Sequence, residues 1–271
     1  MNHAVELRTG ALMPRLGLGV FRSPAGEATR KAVRAALEVG YRHVDTEAIY
    51  RNEKDVGEAI RQGGVPRSEI FVTTKLWNSD QGFDAALRAC DASLARLGMS
   101  YVDLYLIHWP VPGLRRDSWR ALERLHEDGR ARAIGVSNFM VAHLEELAAG
   151  AQIPPAVNQI EISPFLQQRD VREWCAAQGV VVEAYSPLTK GVRLGHPVLG
   201  EFARRSGKTP AQVLLRWGLQ HDLVVLPKSV RPERIRENAA IFDFALDEES
   251  MAALDGLEEG LATGWDPRGQ P

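Results

Sequence analysis

Two periodicities alternate along the chain. Short apolar runs with little alternation, the pattern of strands covered on both faces, are followed by segments whose apolar residues recur at helical spacings of three and four. The helical pattern is clearest over 83–97, where Phe83, Leu87, Cys90, Leu94 and Leu97 form one stripe and Gly98 stops it. Strands are predicted at 16–20, 42–45, 69–75, 101–107, 132–136, 156–162, 180–188 and 223–229. The first helix is predicted to open with Ser23 as cap and Pro24 in its first turn, and to end at Gly40. Further helices are predicted at about 53–62, 119–127, 140–149, 170–178, 201–206, 212–220, 233–239 and 247–257, the fifth of these after a glycine-rich loop from Thr189 to Gly200. Residues 5–14 alternate around Thr9-Gly10 and read as a β-hairpin.

Eight strands interleaved with helical segments predict an α/β fold with a parallel sheet under helices. At 271 residues, one (β/α)8 TIM barrel domain over 1–271, preceded by the hairpin, is the economical architecture, and a doubly wound open sheet is the alternative.

Composition narrows the class. Hydrophobic residues at 45% and charged residues at 25% suit a globular chain with a full core, and a net charge of −2 offers no overall basic field for nucleic acid. The first ten residues lack a basic, then apolar, leader, and no apolar run approaches the ~20 residues of a membrane span. Cys90 and Cys175 stand far apart in no metal-binding or redox pattern. A cytoplasmic protein without membrane or nucleic-acid partners is expected.

Two glycine-rich stretches fail as phosphate loops. After Gly17 and Gly19 the third glycine of a dinucleotide fingerprint would fall at Arg22, and before Gly207-Lys208-Thr209 the first glycine of a P-loop would fall at Phe202. Thr209, Pro210 and Gln212 read instead as a capping box.

Chemistry in such barrels gathers at the C-terminal ends of the strands. Asp45, Lys75, His108, Ser137, Asn138, Gln159, Tyr185, Ser186, Lys228 and Ser229 all fall at or near predicted strand ends, and Tyr50 follows on the turn after Asp45. Singly each has a plain structural explanation, a salt bridge or a satisfied core polar group. Together they make an acid: a lysine paired with a carboxylate would stabilise tyrosinate and ease proton donation from Tyr50, while His108 would orient a carbonyl. Cations gathered at the N-terminus of the 233–239 helix, Lys228, Arg231 and Arg234, suit a phosphate monoester.

The motifs GYRHVDTEAIYRNE (40–53), VTTKLW (72–77), LYLIHWP (104–110), GVSNF (135–139), NQIE (158–161), AYSPL (184–188) and LPKSVRPERIREN (226–238), in this order and spacing, resemble the aldo-keto reductase superfamily. Similarity is greatest to the prokaryotic branch that reduces diketogluconates, methylglyoxal and simple aldehydes. The resemblance implies a catalytic tetrad of Asp45, Tyr50, Lys75 and His108, with Tyr50 the proton donor to a carbonyl that receives hydride from a nicotinamide. It also implies that Ser137, Asn138 and Gln159 surround the carboxamide, that Tyr185 stacks on the nicotinamide, and that Ser186 and Leu188 line the pyrophosphate path. Lys228, Ser229 and Arg234 would hold the 2′-phosphate of NADPH, and Glu237 and Asn238 the adenine. A monomer is the family expectation.

One departure concerns the tetrad itself: Glu47 stands where most relatives have a small residue. A carboxylate facing the site would raise the pKa of Tyr50, so Glu47 is expected to point away from the mouth or to pair with a nearby base. The connection after Trp109 and the C-terminal tail are short, which implies an open substrate pocket with Phe21, Trp77, Trp109 and Trp265 as walls. Arg22 and Arg193 are read as surface residues. Against reduction of small carbonyl compounds stands a non-catalytic NADP-binding barrel with a regulatory or structural role. A Schiff-base lyase on Lys75 and a metal hydrolase rank lower, since a partner carboxylate would keep the lysine protonated and the histidines show no ligand spacing.

Overall fold

The computed structural model describes residues 3–270. Strands β1 (Ala4–Glu6) and β2 (Leu12–Pro14) pair antiparallel as the expected hairpin. Eight strands follow: β3 (Leu18–Gly19), β4 (His43–Asp45), β5 (Phe71–Leu76), β6 (Val102–Ile107), β7 (Ala131–Ser137), β8 (Val157–Glu161), β9 (Val181–Tyr185) and β10 (Val224–Leu226). Each is hydrogen-bonded in parallel to its neighbour in chain order. Parallel bridges from Leu16 to Val225 and from Gly19 to Lys228 join the first strand to the last. The sheet is a closed barrel, not an open doubly wound sheet.

The helices are α1 (Glu27–Glu38), α2 (Glu53–Gln62), α3 (Phe83–Leu97), α4 (Arg115–Glu127), α5 (Val141–Ala148), α6 (Arg169–Gln178), α7 (Pro197–Ser206), α8 (Pro210–Gln220), α9 (Pro232–Ala239) and α10 (Glu248–Asp255). Cys90 is fully buried on α3, as its stripe predicts. The capping box of α8 forms, with the Gln212 amide donating to Thr209 Oγ1 and the Thr209 amide donating to Gln212 Oε1.

Three helix starts differ from the sequence reading, α4 beginning at Arg115, four residues before the expected 119. Helix α1 begins at Glu27, because Asp55 on α2 accepts from the Gly26 amide at 2.7 Å and satisfies the helix end there, leaving Ser23 and Pro24 in the preceding turn. Helix α7 begins at Pro197, four residues before the expected 201, since proline suits a first helical turn and its missing N–H costs nothing there.

Alternation along the strands divides the apolar residues into two cores. One lies between barrel and helices; the other fills the lower barrel, where Phe71, Leu104, Leu106, Val157 and Val224 meet Leu7 and Met13 of the hairpin. The hairpin is therefore a plug for the N-terminal end, and the ionisable residues lie higher up, toward the mouth. Gly17 lies at the closing seam, its amide donating to the Val225 carbonyl at 3.0 Å. A Cβ there would come within 2.5 Å of Leu226 and 2.7 Å of His43, so this glycine admits close packing of the wall. No helix of the described residues is long and apolar enough to cross a membrane.

Helix α2 meets the C-terminal end of α3 so closely that a Cβ on Gly57 would lie 1.9 Å from the Leu97 carbonyl oxygen, which also accepts from Arg61 at 2.7 Å. Intrinsic propensity favours alanine over glycine in a helix by about 1 kcal/mol, whereas a backbone clash costs about 1–3 kcal/mol. Gly57→Ala is expected to lower stability by about 1 kcal/mol net, read as a lower urea midpoint at unchanged slope.

Candidate active site at the barrel mouth

Strand register brings the ionisable residues together. Asp45 on β4 lies opposite Thr73, and Lys75 follows two residues on, so both side chains point into the barrel near its upper rim. Lys75 is fully buried and its Nζ donates to both Asp45 oxygens at 2.7 Å and to the Thr46 carbonyl at 3.1 Å. Gln159 on β8 donates through Nε2 to Asp45 at 2.9 Å and to Glu183 on β9 at 2.6 Å. Its amide hydrogens are thus turned to two carboxylates.

Tyr50 ends a single 3₁₀ turn, Ala48–Tyr50, and its ring centroid lies 5.4 Å from Lys75 Nζ. His108, just beyond β6, meets the same ring edge-on at 6.2 Å. The expected lowering of the phenol's pKa is not what the surroundings produce. Burial, with Asp45, Glu47 and Glu183 nearby, pushes the Tyr50 phenol well above its usual value. The phenol therefore keeps its proton at neutral pH. Burial, assisted by the Lys75 charge, pushes the His108 imidazole down to about 3, so its ring is neutral.

Glu47 is fully buried. It does not point away: Oε2 accepts from the Ile49 amide at 2.8 Å, and Oε1 lies 3.7 Å from His108 Nδ1. It also adds to the rise in the Tyr50 pKa, as a carboxylate facing the site should.

The expected walls surround this group. Phe21 meets Tyr50 at 5.1 Å, Trp77 meets His108 at 5.2 Å, Trp109 meets His108 at 6.2 Å, and Trp265 meets Trp109 at 4.9 Å. Trp265 stays 62% exposed, so it forms a rim. The tail that carries it is pinned by Glu161 at the end of β8, which accepts from Thr263 and from the Gly264 amide. Of the two arginines read as surface residues, Arg193 pairs with Glu259 of that tail at 2.6 Å and Arg22 lies over the Phe21 ring.

Beside the tetrad candidates, Ser137 donates to the Gln159 carbonyl at 2.8 Å, Asn138 donates to the His108 carbonyl at 2.9 Å, and the Tyr185 hydroxyl donates to Asn138 Oδ1 at 2.7 Å. These bonds hold Tyr185 by its hydroxyl. Asn138, Ser186, Thr189 and Lys190 all have positive φ between 50° and 63°. Such strain in side-chain-bearing residues persists only where the surroundings impose it, and it clusters at functional sites. Leu188 precedes the Thr189–Gly191 turn.

Lys228 and Arg234 flank the start of α9, and among the described residues no acid pairs with either, whereas Arg231 pairs with Glu233 at 2.5 Å. Burial pushes the Lys228 amine down without a compensating anion. The Ser229 hydroxyl accepts from the Arg231 amide at 3.1 Å. Asn238 is buried, and Glu237 is turned partly to α8, where Oε1 accepts from Thr209.

Three residues of this network escaped the sequence reading: Glu183, His43 and Glu161. The signal for Glu183 was a lone acid within the apolar run of β9. His43 was read only as part of an apolar pair, yet its Nε2 lies 3.2 Å from Thr73 Oγ1 and 3.5 Å from Glu183. A cavity of about 1020 Å³ is lined by Arg15, Arg172, His221, Asp255 and the start of β9, at the end opposite Tyr50.

Comparisons with known proteins agree with this geometry. The Aldo/keto reductase family profile matches residues 15–259. The chain is 49% identical over 267 residues to a glyoxal reductase of Bacillus subtilis, covering 98% of this chain and 97% of that protein. It is 49% identical over 268 residues to a 9,11-endoperoxide prostaglandin H2 reductase of Trypanosoma cruzi, covering 98% and 95%. Among solved structures, an aldo-keto reductase from a Medee basin deep-sea metagenome library superposes with a TM-score of 0.95 at 43% identity, covering 99% of this chain and all of that one. With its closed parallel barrel, N-terminal hairpin plug and end-to-end likeness to reductases, the chain belongs to the aldo/keto reductase family, whose members are oxidoreductases acting on carbonyl groups.

Proposed function

We propose that this protein reduces small aldehydes, ketones, dicarbonyls or keto sugars to alcohols with NADPH, and that Tyr50 delivers the proton. The observation that carries this reading is a protonated, buried phenol beside the Lys75–Asp45 ion pair and a neutral imidazole, all within one aromatic-walled mouth.

When bound, the nicotinamide supplies hydride. The chain's residues supply the rest. His108, neutral, holds the carbonyl oxygen by a hydrogen bond and orients it. Tyr50 gives its proton to that oxygen as negative charge develops, and Lys75 stands close enough to the ring to stabilise the phenolate left behind. Asp45 holds Lys75 in place, and Gln159 joins Asp45 to Glu183, so the acid's setting is braced from β4, β5, β8 and β9.

The donor set fits the cofactor. Lys228 and Arg234, without acid partners beside a helix N-terminus, suit a 2′-phosphate, which only NADPH carries. Ser229 joins them. Tyr185, held by Asn138, offers a fixed aromatic face to a nicotinamide, with Ser137, Asn138 and the strained turn through Ser186 and Leu188 lining the way toward the phosphates. Asn238 and the remaining Glu237 oxygen would meet the adenine. The glyoxal reductase of Bacillus subtilis supports small dicarbonyl compounds as substrates.

Tyr50→Phe is expected to lower kcat for methylglyoxal reduction by about 10²-fold or more while leaving NADPH affinity within about twofold, the first read by NADPH absorbance and the second by fluorescence titration. Unchanged turnover would refute the assignment. Arg234→Ala is expected to raise the KM for NADPH about tenfold, the loss of one charge-assisted hydrogen bond. The KM for NADH should stay constant, and equal effects on both cofactors would refute a 2′-phosphate role.

A further inference from the structure

The mouth contains two buried polar atoms that face each other and have no other partner among the described residues. Glu47 Oε1 and His108 Nδ1 each lie out of contact with solvent and without a hydrogen bond, 3.7 Å apart. A buried donor or acceptor left unsatisfied is destabilising, so the pair is expected to share a proton. The separation exceeds a formed hydrogen bond by roughly half an ångström, a small torsional movement for either side chain.

We propose that Glu47 is a positioning residue: as a neutral carboxylic acid it donates from Oε1 to Nδ1 of His108, and so fixes the imidazole tautomer that carries its hydrogen on Nε2. Nε2 lies across the ring and is the nitrogen left to hold a carbonyl oxygen. Its hydrogen is what lets it donate. With the proton removed from the pair's acid, Nδ1–H would instead donate to the Glu47 carboxylate, leaving Nε2 as a lone pair opposed to the carbonyl oxygen. The tautomer stands on Glu47 and His108 alone; its use in turnover rests on the reductase reading.

The surroundings favour a neutral pair. Lys75 directs its ammonium to Asp45 and the Thr46 carbonyl, not to Glu47. Glu53, the next acid on α2, accepts from Thr74 at 2.6 Å and pairs with Arg96 at 2.5 Å. The neighbouring phenols of Tyr50 and Tyr105 and the Cys90 thiol are all pushed up by burial, so none supplies charge near neutrality. Burial raises Glu47 to about 8, with Glu53 and Asp45 adding and Lys75 and the Ile49 amide opposing, while His108 falls to about 3. Between those values the acid keeps the proton and the imidazole takes none.

The tautomer can be read without turnover, by ¹⁵N NMR of histidine-labelled protein with the His108 signals assigned through His108→Asn. At about pH 6.5, the ordinary histidine value, the wild-type ring is expected as the Nε2–H form, changing to Nδ1–H as the pH rises through about 8. In Glu47→Gln the amide donates permanently to Nδ1, so the Nε2–H form should persist through that range. Glu47→Ala, which lacks both oxygens, should lose the transition too. A wild-type Nδ1–H form at about pH 6.5, or the same transition in Glu47→Gln, would overturn the proposal. In turnover, kcat/KM for methylglyoxal with NADPH should fall about tenfold per pH unit above the transition in wild type. In Glu47→Gln it should stay within about threefold of the neutral value with no such limb. An identical limb in both proteins counts against Glu47. Absence of wild-type turnover sinks the reductase reading instead, and the NMR result then decides the tautomer by itself.

Discussion

The ion pair between Lys75 and Asp45 is the contact on which the mouth depends. A fully buried ammonium is tolerable only when its charge and its hydrogens are answered, and here two carboxylate oxygens and the Thr46 carbonyl answer all three. Losing one partner of such a pair costs about 3–5 kcal/mol, because the other is left charged in the interior. The pair also stitches β4 to β5 at the rim where Tyr50 leaves the wall. Position of the phenol and integrity of the barrel end thus share one interaction.

From this pair the polar interior spreads as a connected network. Gln159 carries it from Asp45 to Glu183, and Glu183 approaches His43, so four strands contribute to one buried layer above the apolar plug. Burial dominates the chemistry of that layer. It raises the carboxyls of Glu47 and Glu183 and the phenol of Tyr50, and lowers both histidines, so most of these groups are neutral near pH 7. A site built this way presents hydrogen-bond donors in a setting of low dielectric, where each is worth more than in water.

The architecture was legible because its causes are local. Strands covered on both faces read as apolar runs, helices as stripes three and four apart, and the alternation of the two over this length leaves few closed solutions. Candidate acids and bases could be found as polar residues at the ends of apolar strands, which is how Asp45, Lys75, His108 and Tyr185 came to light. Helix starts were less legible. The beginning of α1 depends on Asp55 reaching Gly26 from another helix, a contact 29 residues distant along the chain.

What the amino-acid order determined by itself, then, was the alternation of strands and helices, the N-terminal hairpin and the identities of the residues at the strand ends, since these follow from periodicity and strand position. What only the tertiary structure decided was the state and aim of those residues. The pKa of Tyr50 rises chiefly because the closed barrel buries the phenol, with Asp45, Glu47 and Glu183 nearby, and no linear spacing states that burial. Gln159 turns to two acids that β4 and β9 bring to it, and Glu47, which could have faced solvent, is folded against His108 from a strand 61 positions later. Electrostatics in a protein interior depends on distance and dielectric in space, and closure of the barrel sets both.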